Sequence, residues 1–184
     1  IIMRVDGFAM MPNFSFGTAM TTYAGQNVGA HRMDRVEQGA RQGTAIALGT
    51  SAVITLLILV FGKNLMAIFT DTSELVTLSA NMMKILAVGY LAMAITQSLS
   101  GVMRGAGDTM TPMWISMVVT VVIRVPLAYD LAFLTRTPEL PNGRYQVLWI
   151  SMLVSWCMGA LLTLIFYKKG NWKKKALTGS SSEK

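Results

Sequence analysis

Ala52-Val53-Ile54-Thr55-Leu56-Leu57-Ile58-Leu59-Val60-Phe61 is the stretch that decides the architecture. A helix on the surface of a water-soluble bundle shows a polar face every 3.6 residues. This stretch shows none, so a helix made of it is apolar on every side and calls for lipid as its solvent. It lies inside a run from Gln42 to Gly62, 21 residues without a charge. At about 1.5 Å of rise per residue, that run is close to the ~20 residues needed to cross a ~30 Å hydrocarbon layer.

Four more apolar runs flank it. Gly7 to Ala30 is uncharged for 24 residues, Ile85 to Met103 for 19, and Tyr145 to Tyr167 for 23. Thr109 to Tyr129 is broken only by Arg124. The expected fold is therefore all-α, a polytopic transmembrane helix bundle with five spanning helices. The spans are placed at about 5–29, 43–62, 74–103, 111–133 and 145–167. Residues 1–168 form the bundle, and 169–184 form a basic tail expected to be disordered. The composition agrees: only 14% of the 184 residues are charged and the mean hydropathy is +0.49, where soluble domains run near a quarter charged. Fifteen Met and sixteen Gly suit close helix packing,.

The connectors carry the remaining local signals. Asp71-Thr72-Ser73-Glu74 reads as an acidic start to the third helix, and Thr111-Pro112 opens the fourth. Pro138, Pro141, Asn142 and Gly143 mark a loop before the fifth. His31 to Arg41 is charged and short, and reads either as an interfacial helix or as a linker turn. Gly101 to Gly107 reads as a tight helix-to-helix turn; it lacks the strand and the Gly-Lys-Ser/Thr of a phosphate loop.

Charge is distributed unevenly. The formal charge is +7, with the basic residues at the ends of apolar runs, a pattern of membrane orientation instead of nucleic-acid binding,. Ten basic residues fall on one side: Arg32, Arg35, Arg41, Arg104, Lys168 and the five Lys residues of the tail. Lys63, Arg136 and Arg144 fall on the other. The bias places the C-terminus in the cytoplasm, with the tail against anionic headgroups. The chain opens on Ile1-Ile2-Met3-Arg4 with no basic leader, and is expected to be part of a longer polypeptide lacking its N-terminal portion,.

No enzyme constellation stands out: there is no Ser/His/acid set, no paired carboxylates and no metal-ligand cluster. Cys157 and His31 are single. The informative residues are polar groups at membrane depth, each costly in hydrocarbon. Arg124 is expected to be neutralised by Asp6 or Asp130, facing a wet cavity. Lys84 either joins such a group or snorkels to headgroups. Asn13, Ser15, Thr18, Thr21, Thr22 and Gln26 punctuate the first helix, and Thr96, Gln97, Ser98 and Ser100 the third. They serve either as interhelical hydrogen bonds or as a substrate pathway, for which Asn13, Thr22, Gln26, Gln97 and Arg124 are the candidates. Pro12 and Pro126 can bend their helices.

Three stretches together resemble the multidrug and toxic compound extrusion (MATE) family. They are Tyr23-Ala24-Gly25-Gln26-Asn27-Val28-Gly29-Ala30, Ser100-Gly101-Val102-Met103-Arg104-Gly105-Ala106-Gly107-Asp108-Thr109, and Arg124-Val125-Pro126-Leu127-Ala128-Tyr129. The resemblance implies twelve helices in two six-helix lobes, of which this chain supplies most of the second. It implies efflux of drug-like, often cationic compounds across the plasma membrane by H⁺- or Na⁺-coupled antiport, with no cofactor. The apolar part of the third helix holds no Asp or Glu. That resembles the DinF-type branch, in which coupling is assigned to an acid on the first helix of the family, in the missing lobe. A lipid-linked oligosaccharide flippase of the same superfamily is the alternative; a membrane-embedded transferase is less favoured because it needs clustered acids or His.

Overall fold

The computed structural model describes residues 2–69, 72–136, 146–173 and 176, and every element in them is helical. Helix α1 runs Ile2–Gly29, α2 Met33–Ala67 and α3 Ser73–Gly105. The fourth rod comes in three pieces: α4 (Met110–Met117), a π-helical segment (Val118–Arg124) and α5 (Val125–Leu134). The fifth is α6 (Gln146–Lys169). Four rods are long and apolar enough to cross a membrane: α2, α3, the α4-to-α5 rod and α6. Helix α1 has the length, 28 residues, but its polar residues keep it out of that set. The proline- and glycine-marked loop expected at 138–143 lies outside the described residues.

Helix α3 is the hub, packed against α1, α2 and α6. Its partners approach closely because glycines face them. A Cβ at Gly101 would stand 2.4 Å from the Gly17 carbonyl oxygen, and one at Gly105 would stand 2.3 Å from that of Thr21. In lipid no hydrophobic drive pushes helices together, so contact between small residues has to do that work. Gly101 and Gly105 thus belong to the α1–α3 seam. This corrects their reading as turn residues; only Gly107, at φ 88°, makes the turn.

The charged stretch after α1 is neither an interfacial helix nor a linker. It forms the first turns of α2, whose 35 residues reach about 52 Å, well beyond the hydrocarbon layer,. The true turn is short, and it closes as the α3 turn does. Arg32 N–H donates to the Asn27 carbonyl (2.8 Å) and His31 N–H to that of Val28 (2.9 Å). Asp108 N–H donates to Met103 (2.9 Å) and Gly107 N–H to Arg104 (3.0 Å). Both are the paired bonds of a Schellman ending, with His31 (φ 57°) in the left-handed position that Gly107 fills in the other,. Asp108, buried, then opens α4: its carboxylate accepts from Thr111 N–H (3.2 Å) and Thr111 Oγ1 (2.6 Å).

Part of the expected disordered tail is docked. Trp172 is 1% exposed, stacks on Tyr167 and donates its Nε1–H to the Tyr167 carbonyl at 3.0 Å. Lys173 pairs with Glu37 of α2. Trp172 and Ala176 join Val36, Ala40, Met103 and Ala106 in a cluster that closes this basic end of the bundle. The signal was an indole amid lysines, a residue more at home in a packed contact or at a membrane boundary than in a solvated tail.

The π segment has a local cause. Pro126 lacks an N–H, and its ring collides with the carbonyl four residues back, so the winding just before it widens,. Pro12 leaves α1 unbroken. The α4-to-α5 rod is sparsely covered: α5 has no buried residue.

Candidate functional site

Along α3, Met93, Gln97, Ser100 and Arg104 follow a four-three-four spacing that lines them up on one helix face,. That face borders two cavities. One, of about 330 Å³, is walled by this face together with Thr109, Pro112 and Met113 from the start of the fourth rod, Thr120 of the π segment, and Ser155, Trp156 and Gly159 of α6. The other, of about 420 Å³, is lined by Phe14, Thr18, Thr21 and Thr22 of α1. Gln97 and Arg104 line both cavities, so they stand at the divide between them. The volumes fall within the range of small-molecule clefts.

The lining chemistry is specific. Thr18, Thr21 and Thr22 each donate their hydroxyl proton to the carbonyl four residues back, at 3.1, 2.9 and 3.3 Å. Thr96 does the same at 3.0 Å. Each oxygen is left to accept from a visitor. Ser155 Oγ is buried with no protein partner, and it lines the first cavity. A buried hydroxyl without a partner is destabilising unless water or ligand satisfies it. Trp156 and Met93 supply apolar and polarisable surface,. Among the described lining residues, Arg104 is the charged group. It sits in the last turn of α3, where the helix dipole favours a cation,.

The sequence candidates separate into distinct places. Thr22 and Gln97 meet in the second cavity. Asn13 does not line either; it is 1% exposed and ties three helices. Its Oδ1 accepts from Ser51 Oγ (2.8 Å) and its Nδ2–H reaches the Tyr90 carbonyl (3.4 Å). Gln26 is exposed and lines neither cavity. Arg124 lies in a separate apolar groove. The expected charge pair is not formed: neither Asp6 nor Asp130 is within ion-pair distance of Arg124 among the described residues. Asp6 instead accepts from Tyr90 Oη at 2.8 Å, and Asp130 is exposed on α5. Lys84 is exposed, with no ion pair among the described residues. Sequence reasoning missed Arg104, Ser155 and Trp156 as site residues; the four-three-four spacing of α3 could have found the first.

The MatE family model matches residues 1–129. A Thermotoga maritima protein named "Probable multidrug resistance protein NorM" is 27% identical over 95% of the chain and 36% of its own length. The Bacillus subtilis "Probable multidrug resistance protein YoeA" is 27% identical over 97% of the chain and 37% of its own. Among solved structures, a eukaryotic MATE transporter superposes with a TM-score of 0.82 at 22% identity, over 97% of the chain and 38% of that protein. An inward-facing multidrug resistance MATE transporter gives 0.79 at 17% identity, over 94% and 39%. The chain thus spans under two-fifths of the length of each of these proteins.

Proposed function

The chain belongs to the MatE family, and from that premise we propose that it forms most of one lobe of a secondary active exporter of drug-like compounds. The observation that carries this reading is the pair of cavities divided by Gln97 and Arg104. Threonines, serines and a glutamine around a 330 Å³ space suit a polar occupant better than lipid, and Ser155 Oγ is buried there without a protein partner,. The hydroxyl oxygens facing it suit ligands rich in hydrogen-bond donors or positive charge, held away from Arg104. The family's members are transporters, not enzymes.

The finer parts of the proposal rest on the sequence. Export is coupled to H⁺ or Na⁺ entry. The resemblance to the DinF-type branch, which the apolar run 85–103 carries by having no Asp or Glu, places the coupling acid in the other lobe of the same polypeptide. The protein sits in the plasma membrane with its basic end, including the docked Trp172, in the cytoplasm. The flippase alternative is not favoured. A pyrophosphate needs several cations, and Arg104 alone faces the cavities among the described residues.

The test is efflux of a fluorescent lipophilic cation from a pump-deficient host expressing the full-length protein. Dye loss is expected to depend on a proton or sodium gradient. Gln97→Leu is expected to slow it about fivefold to tenfold at unchanged membrane abundance, the worth of one lost hydrogen bond. Dye retention that ignores both gradients would refute the export reading.

A further inference from the structure

Ser155 is 2% exposed, and its Oγ has no hydrogen-bond partner among the described residues. It stands nine residues into α6 and fourteen before its end, about 13 and 21 Å along the helix, beyond the reach of headgroups on either side,. A hydroxyl buried at that depth needs an occupant of its cavity to answer it. The cavity is the one of about 330 Å³ between α3, α6 and the fourth rod, all of them parts of this chain. Gly159, one turn further along α6, lines the same cavity. The nearest atoms to a Cβ there would be the Val119 methyls and Thr96 Oγ1, at 3.8–4.0 Å. The missing side chain therefore leaves a niche bordered by Thr96 Oγ1. Thr96 gives its proton to the Ala92 carbonyl at 3.0 Å, so toward the niche its oxygen only accepts. Trp156 supplies the apolar wall and is held in place. A Cβ at Gly89 would stand 2.4 Å from its Cε3, and its ring lies 6.1 Å from that of Tyr90. Arg104, the charged residue of the same cavity, turns toward α1, its Nη2 3.5 Å from where a Gly17 Cβ would stand.

We propose that this niche is the head-group subsite of the export cleft, and that it takes a primary or secondary ammonium by its N–H groups while rejecting a quaternary ammonium of equal charge. The inference rests on the export reading and deepens it: the N–H donor is what the niche selects, beyond the charge. One N–H meets Thr96 Oγ1, a second meets Ser155 Oγ, and the charge lies against the Trp156 ring,. A carboxylate finds one donor there, the Ser155 hydroxyl, and faces the lone pairs of Thr96. A trimethylammonium displaces the water that satisfies the two oxygens and leaves both without a partner. A site whose buried polar atoms are left unpaired discriminates far more strongly than one that loses a methyl contact.

The test is fluorescence binding to the full-length protein in detergent at neutral pH. One probe is dansylcadaverine, whose terminal ammonium carries N–H donors; the other is its trimethylammonium analogue, which has the same charge and no donor there. The wild type is expected to bind the ammonium about tenfold more tightly, the worth of one or two hydrogen bonds. Ser155→Ala is expected to weaken the ammonium about fivefold and to leave the trimethyl analogue unchanged. Its thermal midpoint should not fall, because the substitution removes an unanswered hydroxyl. Ser155→Thr keeps the hydroxyl and should keep the preference. Thr96→Val is expected to act as Ser155→Ala does, and it decides where Ser155→Ala fails to fold. Tight and equal binding of the two probes by the wild type overturns the subsite and leaves the export reading standing. So does a preference that survives both substitutions. Binding of neither probe overturns the subsite and the export cleft together.

Discussion

Replacing Gly101 with leucine is expected to destabilise the bundle by about 3 kcal/mol or more, the upper end of the range for overpacked sites. The cause is geometric. A single Cβ at Gly101 already falls 2.4 Å from the Gly17 carbonyl oxygen, and that atom is backbone on a neighbouring helix, unable to swing aside. Gly105→Leu meets the Thr21 carbonyl at 2.3 Å and the Ala24 Cβ at 2.8 Å and should behave alike. Helices α1 and α3 would have to part, and the second cavity would part with them, because Thr18 and Thr22 stand on one helix and Gln97 and Arg104 on the other. Gly49→Leu is the control: it is exposed on α2 with nothing within 4 Å, and should change stability by less than about 0.5 kcal/mol,. The readout is the thermal midpoint of the detergent-solubilised full-length protein. Equal midpoints for the Gly101 and Gly49 variants would show that the close seam is absent.

Trp172→Ala is expected to cost about 3–5 kcal/mol, the range for truncating a buried aromatic. The indole is fully packed, stacked at 5.2 Å from the Tyr167 ring and hydrogen-bonded to the Tyr167 carbonyl. Its loss opens a cavity among Val36, Ala40, Met103 and Ala106, at the place where α2 begins and α3 ends beside the tail. Trp172→Phe keeps the stacking and loses the Nε1–H bond, so its cost should fall to about 1 kcal/mol. The exposed Lys173–Glu37 pair adds little of its own,. Trypsin should cut after Lys169 and Lys173 far faster in the Ala variant than in the wild type. Unchanged cleavage and an unchanged midpoint would mean that the segment does not dock.

The rods themselves were legible because an apolar run of twenty residues admits few other structures. Their observed ends depart from the expected ones by up to three residues, except for α2, which reaches ten residues further at its start and five at its end. Its start escaped because Arg35 and Arg41 look like loop residues, yet a helix projecting past the membrane keeps its charges in water. Gly101 and Gly105 looked like turn residues because spacing alone does not separate a bend from a close approach; only the partner carbonyls of Gly17 and Thr21 do. Asn13 shows the same limit from the other side. Its polarity demanded a partner, and that partner proved to be Ser51 and the Tyr90 backbone, with no cavity involved. Arg104 was read as an orientation charge because its access to both cavities depends on the rotation of α3, which packing with α1 and α6 sets.

Beneath the export proposal lies a wet cleft beside α3 within an apolar bundle. Thiol labelling tests it most directly, in full-length protein carrying Cys157→Ser, since that thiol is exposed, and with any other cysteine likewise replaced. A membrane-impermeant hydrophilic maleimide is expected to label Gln97→Cys and to be slowed by an exported substrate. Leu57→Cys, exposed in the middle of the stretch that decided the fold, should stay unlabelled in lipid. Labelling of Leu57→Cys with a silent Gln97→Cys would contradict both the cleft and the membrane-spanning bundle that holds it.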